Sequence, residues 1–150
     1  MTRPAQQTNP MRLKLANDHG ELDTLARWLG DFASGHGLTG KTAFGLELVL
    51  TEAVTNIMDH ARRADAAIEI ELACALRDDR IEAEVADNGA PFDPSAQAPA
   101  QLAGSLDEAT PGGLGIHLMR RYATRMDYRR EGGRNILSLT LPAESVPVSC

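Results

Sequence analysis

Between residues 40 and 62, Leu46, Leu50, Ala53, Ile57 and Ala61 recur at i, i+4, i+7, i+11 and i+15. That spacing puts them in one stripe along a helix about six turns long. A helix with one long apolar side has to lay that side on something broad. The rest of the chain supplies it. Ala67–Leu72 and Ile81–Val85 alternate apolar with polar residues around the turn Arg77-Asp78-Asp79-Arg80. Alternation of this kind makes a hairpin with one buried face.

Further elements extend the sheet and the helical layer. Met11–Ala16 alternates and predicts a first strand. Leu22, Leu25, Ala26, Leu29 and Phe32 predict a helix over residues 21–35, with Gly35 and Gly37 closing it. Leu114, Leu118 and Tyr122 share one face of a helix over about 114–124. Met126–Arg130 and Ile136–Leu141 form a last hairpin around Glu131-Gly132-Gly133. The order β-α-α-β-β-loop-α-β-β predicts an α+β fold. We expect a two-layer α/β sandwich with a mixed, mostly antiparallel sheet and helices on one face. Residues 11–142 read as one domain, 1–10 as a loose arm and 143–150 as a tail.

Composition narrows the function. The 150 residues carry 15 Lys+Arg and 21 Asp+Glu, a formal net charge of −6. A chain this acidic lacks the cationic footprint that a nucleic-acid backbone requires. Arg120, Arg121, Arg125, Arg129, Arg130 and Arg134 do concentrate late, either as a solvated face or as a phosphate-binding patch. No apolar run approaches the ~20 residues that cross a bilayer. The N-terminus has no hydrophobic segment after its Arg, so the expectation is a cytoplasmic protein without a membrane partner. Two cysteines, Cys74 and Cys150, and four scattered histidines offer neither a disulfide framework nor metal-ligand spacing.

Three clusters could carry chemistry. Glu52, Asn56, Asp59 and Arg63 project the same way from the long helix. Asp59 and Arg63 can be solvated charges. Glu52 lies among apolar neighbours, where a carboxylate tends to hold its proton and suits a general base. Asn56 offers a neutral amide oxygen to a hard cation such as Mg²⁺. Asp87-Asn88-Gly89 closes a strand. It is either a plain turn or an acceptor for an exocyclic amine, with Gly89 letting a flat base approach. Gly112-Gly113-Leu114-Gly115-Ile116 opens a helix, either presenting N–H groups to phosphates or acting as a lid hinge. The set is neither a P-loop nor a dinucleotide fingerprint, since GxxxxGK[ST] is missing and no strand leads into the glycines.

In this order the clusters resemble the GHKL ATPase superfamily, the Bergerat fold of gyrase, histidine kinases and mismatch-repair ATPases. Within it the chain is most similar to the anti-sigma-factor serine/threonine kinases of bacterial partner-switching systems. Leu50–His60 resembles their N box, Asp87–Pro94 their first glycine box and Gly112–Leu118 their second. The hairpin with Tyr128-Arg129-Arg130 and Gly133-Arg134-Asn135 is also similar. The likeness covers roughly residues 12–141.

The resemblance implies ATP and Mg²⁺ as cofactors and a role for each matching residue. Glu52 would be the catalytic base and Asn56 the metal ligand. Asp87 would hold the adenine amino group, with Gly89 giving it room. Gly113, Leu114, Gly115 and Ile116 would border the triphosphate, under a lid over about 95–111. His60 would orient or pack. The implied substrate is an anti-anti-sigma-type, STAS-like antagonist protein. The implied captive is a sigma factor or other regulator, and a homodimer fits the same family. The chain departs from the pattern in one respect. Between Ala90 and Pro111 its only charged residues are Asp93, Asp107 and Glu108, so a cation for the γ-phosphate has to come from elsewhere, such as Arg120, Arg121 or a second chain. A nucleotide-dependent binding module with little kinase activity is the competing expectation. A fragment of a chaperone or topoisomerase is disfavoured by the short length and the lack of a transducer domain.

Overall fold

A computed structural model describes residues 9–60, 67–94 and 111–145, with side chains from 117 onward in the last stretch. The elements follow the expected order: β1 (Met11–Ala16), a 3-10 turn (His19–Glu21), α1 (Leu22–Gly35), α2 (Gly40–His60), β2 (Glu69–Arg77), β3 (Arg80–Asp87), α3 (Pro111–Tyr122), β4 (Arg125–Glu131) and β5 (Arg134–Pro142). The expected arm at 1–10, the lid at 95–111 and the tail at 143–150 fall largely outside the described residues, as do Ala61 and Arg63.

Local chemistry sets the boundaries. Asp18 caps the 3-10 turn, accepting at Oδ1 from Gly20 N–H at 2.9 Å. Thr39 caps α2 in the same way, accepting at Oγ1 from Thr42 N–H at 3.2 Å. Gly132 and Gly133 take φ +59° and +77° in the β4–β5 turn. Two successive positive φ values are the tight hairpin geometry that glycine makes cheap. Asp78, at φ +56°, does similar duty between β2 and β3.

The five strands lie in the order β1-β2-β3-β5-β4. Every pairing is antiparallel. This corrects the expectation of a mixed sheet: β3 and β5, separated by α3, meet antiparallel, with Asp87 opposite Asn135. One face carries Ile70, Leu72, Val85, Leu137 and Leu139 into a single core with the helices. From α1 that core takes Leu25, Leu29, Phe32 and Ala33, whereas Ala26, expected inside, is exposed. Cys74 belongs to the same core, and burial pushes its thiol up to about 12, so it behaves as a small apolar residue. Gly45 lets α3 close on α2, since a Cβ there would stand 3.1 Å from the Tyr122 ring. The opposite face of the sheet is polar. No helix among the described residues is long and apolar enough to cross a membrane.

Candidate functional site

Among the described residues only three polar side chains are buried: Asn56, Asp87 and Asn135. All three line one cleft between the helices and the sheet. Ala53, Asn56 and Ile57 come from α2, Val85 and Asp87 from β3, Phe92 and Pro94 from the segment after β3, Met119 from α3, Tyr128 from β4, and Asn135 and Leu137 from β5. The cleft holds about 350 Å³ of empty space, counting the part open to solvent. A flat apolar slot with a few converging polar groups is the usual form of a small-ligand site.

Asp87 is held firmly. Its Oδ1 accepts from Gly89 N–H at 2.8 Å and from Asn135 Nδ2 at 3.0 Å. The first bond is the local turn expected of Asp-x-Gly, but the turn serves the cleft rather than a hairpin. Asn88 faces away and ties down the approach to β2. It accepts from Glu69 N–H at 2.8 Å and donates to Ala67 O at 3.2 Å.

Asn56 differs in kind. Its Nδ2 is buried without a hydrogen-bond partner among the described residues. A buried unpaired amide costs roughly 1–3 kcal/mol, so its retention beside Asp87 points to a ligand that completes it. The two ends of such an amide differ only in the partners they take. Turned oxygen-first, Asn56 suits the hard cation that accompanies a nucleotide triphosphate. The residue present therefore fits Mg²⁺.

Of the remaining expected site residues, Glu52 lies one helical turn before Asn56 on α2, half-buried and outside the cleft lining. Gly89 is buried beside Asp87. Gly113, Leu114, Gly115 and Ile116 lie within the first turns of α3, which starts at Pro111 rather than after the glycines. Proline is favoured at a first helical position, which accounts for the earlier start. His60 stacks on Phe92, with ring centroids 5.4 Å apart and planes at 16°. Arg120 and Arg121 are exposed in the last turn of α3.

The sequence placed Phe92 in the first glycine box, Tyr128, Arg130 and Asn135 in the resembling hairpin and Arg130 in a possible phosphate patch, but it gave none of them a part in this cleft. A hint was present: one Asn next to a hairpin turn, on the apolar side of an otherwise alternating strand.

A larger hollow, about 930 Å³ by the same measure, lies on the other face of the sheet. Its walls are ion-paired, Arg77 with Glu82 at 3.4 Å and Arg125 with Asp127 at 2.6 Å. No orphaned buried group among the described residues faces it, so it is read as solvated surface.

A helix bearing Glu-x-x-x-Asn over a strand that ends in a buried Asp is the arrangement that the resemblance implied for an ATP-binding domain. The profile described as the histidine kinase-like ATPase domain matches residues 15–141, and the chain belongs to that family. The serine/threonine-protein kinase BtrW of Bordetella bronchiseptica is 36% identical over 122 residues, covering 81% of this chain and 84% of that one. The serine-protein kinase RsbW of Bacillus cereus is 29% identical over 111 residues, covering 67% and 69%. Within the family, the chain thus groups with the bacterial anti-sigma-factor serine/threonine kinases. A solved structure of the RsbU and RsbW domains of a Mycobacterium tuberculosis protein has a TM-score of 0.65 at 17% identity. It covers 95% of this chain, which spans 35% of that longer one, and it attests the fold.

Proposed function

We infer that this chain is an ATP-dependent serine/threonine protein kinase of the partner-switching kind. It phosphorylates an anti-anti-sigma-type, STAS-like antagonist and sequesters a sigma factor or a comparable regulator. The observation that carries the reading is the pairing of a buried Asp87 with an orphaned Asn56 in one apolar cleft. A carboxylate oxygen accepts from the 6-amino group of adenine, and the amide oxygen of Asn56 would hold Mg²⁺. Mg²⁺ supplies neutralisation of the phosphate charge that phosphoryl transfer requires. Glu52, one turn along α2, takes the proton from the attacking hydroxyl. Gly113, Leu114, Gly115 and Ile116 border the phosphates, and Gly89 gives room to the base. The working unit is the domain of residues 11–142, acting in the cytoplasm, with residues 95–111 as its lid.

The test is transfer. The chain is incubated with labelled ATP, Mg²⁺ and small STAS-like proteins, and label is mapped on Ser or Thr of the acceptor. Label should appear on one hydroxyl and vanish with chelator. ATP binding without transfer to any candidate would leave a nucleotide-dependent binding module instead.

A further inference from the structure

Asn135 uses its whole hydrogen-bonding capacity. Nδ2 donates to Asp87 Oδ1 at 3.0 Å and to Ala90 O at 2.8 Å. Oδ1 accepts from Tyr128 OH at 2.5 Å, from Phe92 N–H at 3.2 Å and from Arg130 Nη1 at 3.2 Å. Three donors on one end and two acceptors on the other fix which way round the amide lies. A side chain so fully engaged has nothing left to offer a ligand.

Its effect falls on Asp87. Oδ1 of that carboxylate already accepts twice, from Gly89 N–H and from Asn135. No hydrogen bond from a described residue reaches Oδ2, and Asp87 lines the cleft. The carboxylate is thus held by one oxygen and left to accept with the other. The same amide ties down the turn that walls the cleft, through Ala90 O and Phe92 N–H. Arg130 clamps that turn again, donating from Nη1 to Gly89 O at 2.7 Å.

We propose that Asn135 is a positioning residue for base selection. By spending Asp87 Oδ1 it makes Asp87 a one-sided acceptor. The site then takes a purine with a 6-amino group and rejects one with a 6-oxo group, although Asn135 touches neither. The proposal rests on the reading that Asp87 accepts from the base.

The experiment compares ATP with ITP, which differ at position 6 of the purine. Affinities of the full chain are measured by calorimetry with Mg²⁺ at neutral pH. The wild type should prefer ATP by about 10- to 100-fold, the range for one hydrogen bond to a charged group. Asn135→Ala should bring the ratio close to 1, mostly through weaker ATP binding. Asn135→Asp keeps acceptors for Tyr128, Phe92 and Arg130 but cannot donate to Asp87 once both carboxyls are ionised, so at raised pH it too should lose the preference. It decides the matter if the alanine variant does not fold. A preference that Asp87→Asn abolishes but Asn135→Asp retains at raised pH would overturn the role of Asn135 alone. A wild type with no preference, or one that Asp87→Asn leaves intact, would instead sink the reading of Asp87.

Discussion

Arg134 and Asn135 are neighbours on β5 and point to opposite faces of one sheet. Arg134 reaches Glu71 at 2.9 Å on the outer face, where Lys14 also approaches that carboxylate at 3.7 Å. Arg129 lies 3.7 Å from Glu84 nearby. These groups keep much of their hydration, so each pair adds about 0–1 kcal/mol. Asn135 points inward, where an unpaired polar group is costly, and it is bonded five times. A wetted face tolerates charge at nearly any position. A buried face keeps polar atoms where a network or a ligand repays their desolvation, so the inner polar residues mark the site.

Glu52 gives the largest expected contrast. Glu52→Gln keeps size and hydrogen bonding but cannot take a proton. Phosphate transfer should fall by about 10²–10⁴-fold while ATP affinity and melting temperature hold. If melting, binding and transfer decline together, Glu52 is structural. Transfer at the wild-type rate would remove it as the base.

Leu139 and Ser138 carry the contrast into stability. Leu139→Ala empties part of the core and should cost about 2–5 kcal/mol in denaturant unfolding. Ser138→Ala, one residue away on the other face, should change stability by less than ~0.5 kcal/mol. Similar losses at both would mean that the outer face is covered in solution.

The smallest effect belongs to Glu71. The hydrogen bond from Arg134, with the charges of Arg134 and Lys14, holds its carboxyl below the ordinary range of 4.5. A depressed folded value stabilises above the unfolded one, and the gain fades as pH falls through the folded value. Glu71→Gln should therefore cost less than ~1 kcal/mol at pH 7 in low salt. The cost should shrink with added salt and with acid. A loss that ignores both would show that Glu71 does more than pair on a wetted surface.

Much of this contrast was legible in the sequence. Strand alternation told inner from outer residues in β2, β3 and β5, and the stripe of α2 gave the helical layer. Asn56 was singled out by sharing a helix face with Glu52, and Asp87 by closing a strand into an Asp-x-Gly turn. Asn135 was not, because its meaning comes from register. Gly-Gly-Arg-Asn reads as the exit of a turn, and only the β3–β5 ladder sets that Asn opposite Asp87. Ala26 was expected inside and Ala33 passed over because alanine barely marks the edge of an apolar stripe. The all-antiparallel sheet was hidden for a similar reason, since the direction in which β5 meets β3 is a tertiary choice.

That ladder also bears on how the protein comes to be folded. Asp87 and Asn135 are 48 positions apart, and closing a loop of that length costs about 3 kcal/mol plus a constant. The contact gives nothing back until β5 has crossed the gap and docked. A chain emerging from synthesis will have β1, β2, β3 and the local Gly89 bond available well before it has Asn135 to align Asp87. If Asp87 accepts from the base as proposed, nucleotide recognition waits for the completed fold, and ATP then stabilises that state by mass action.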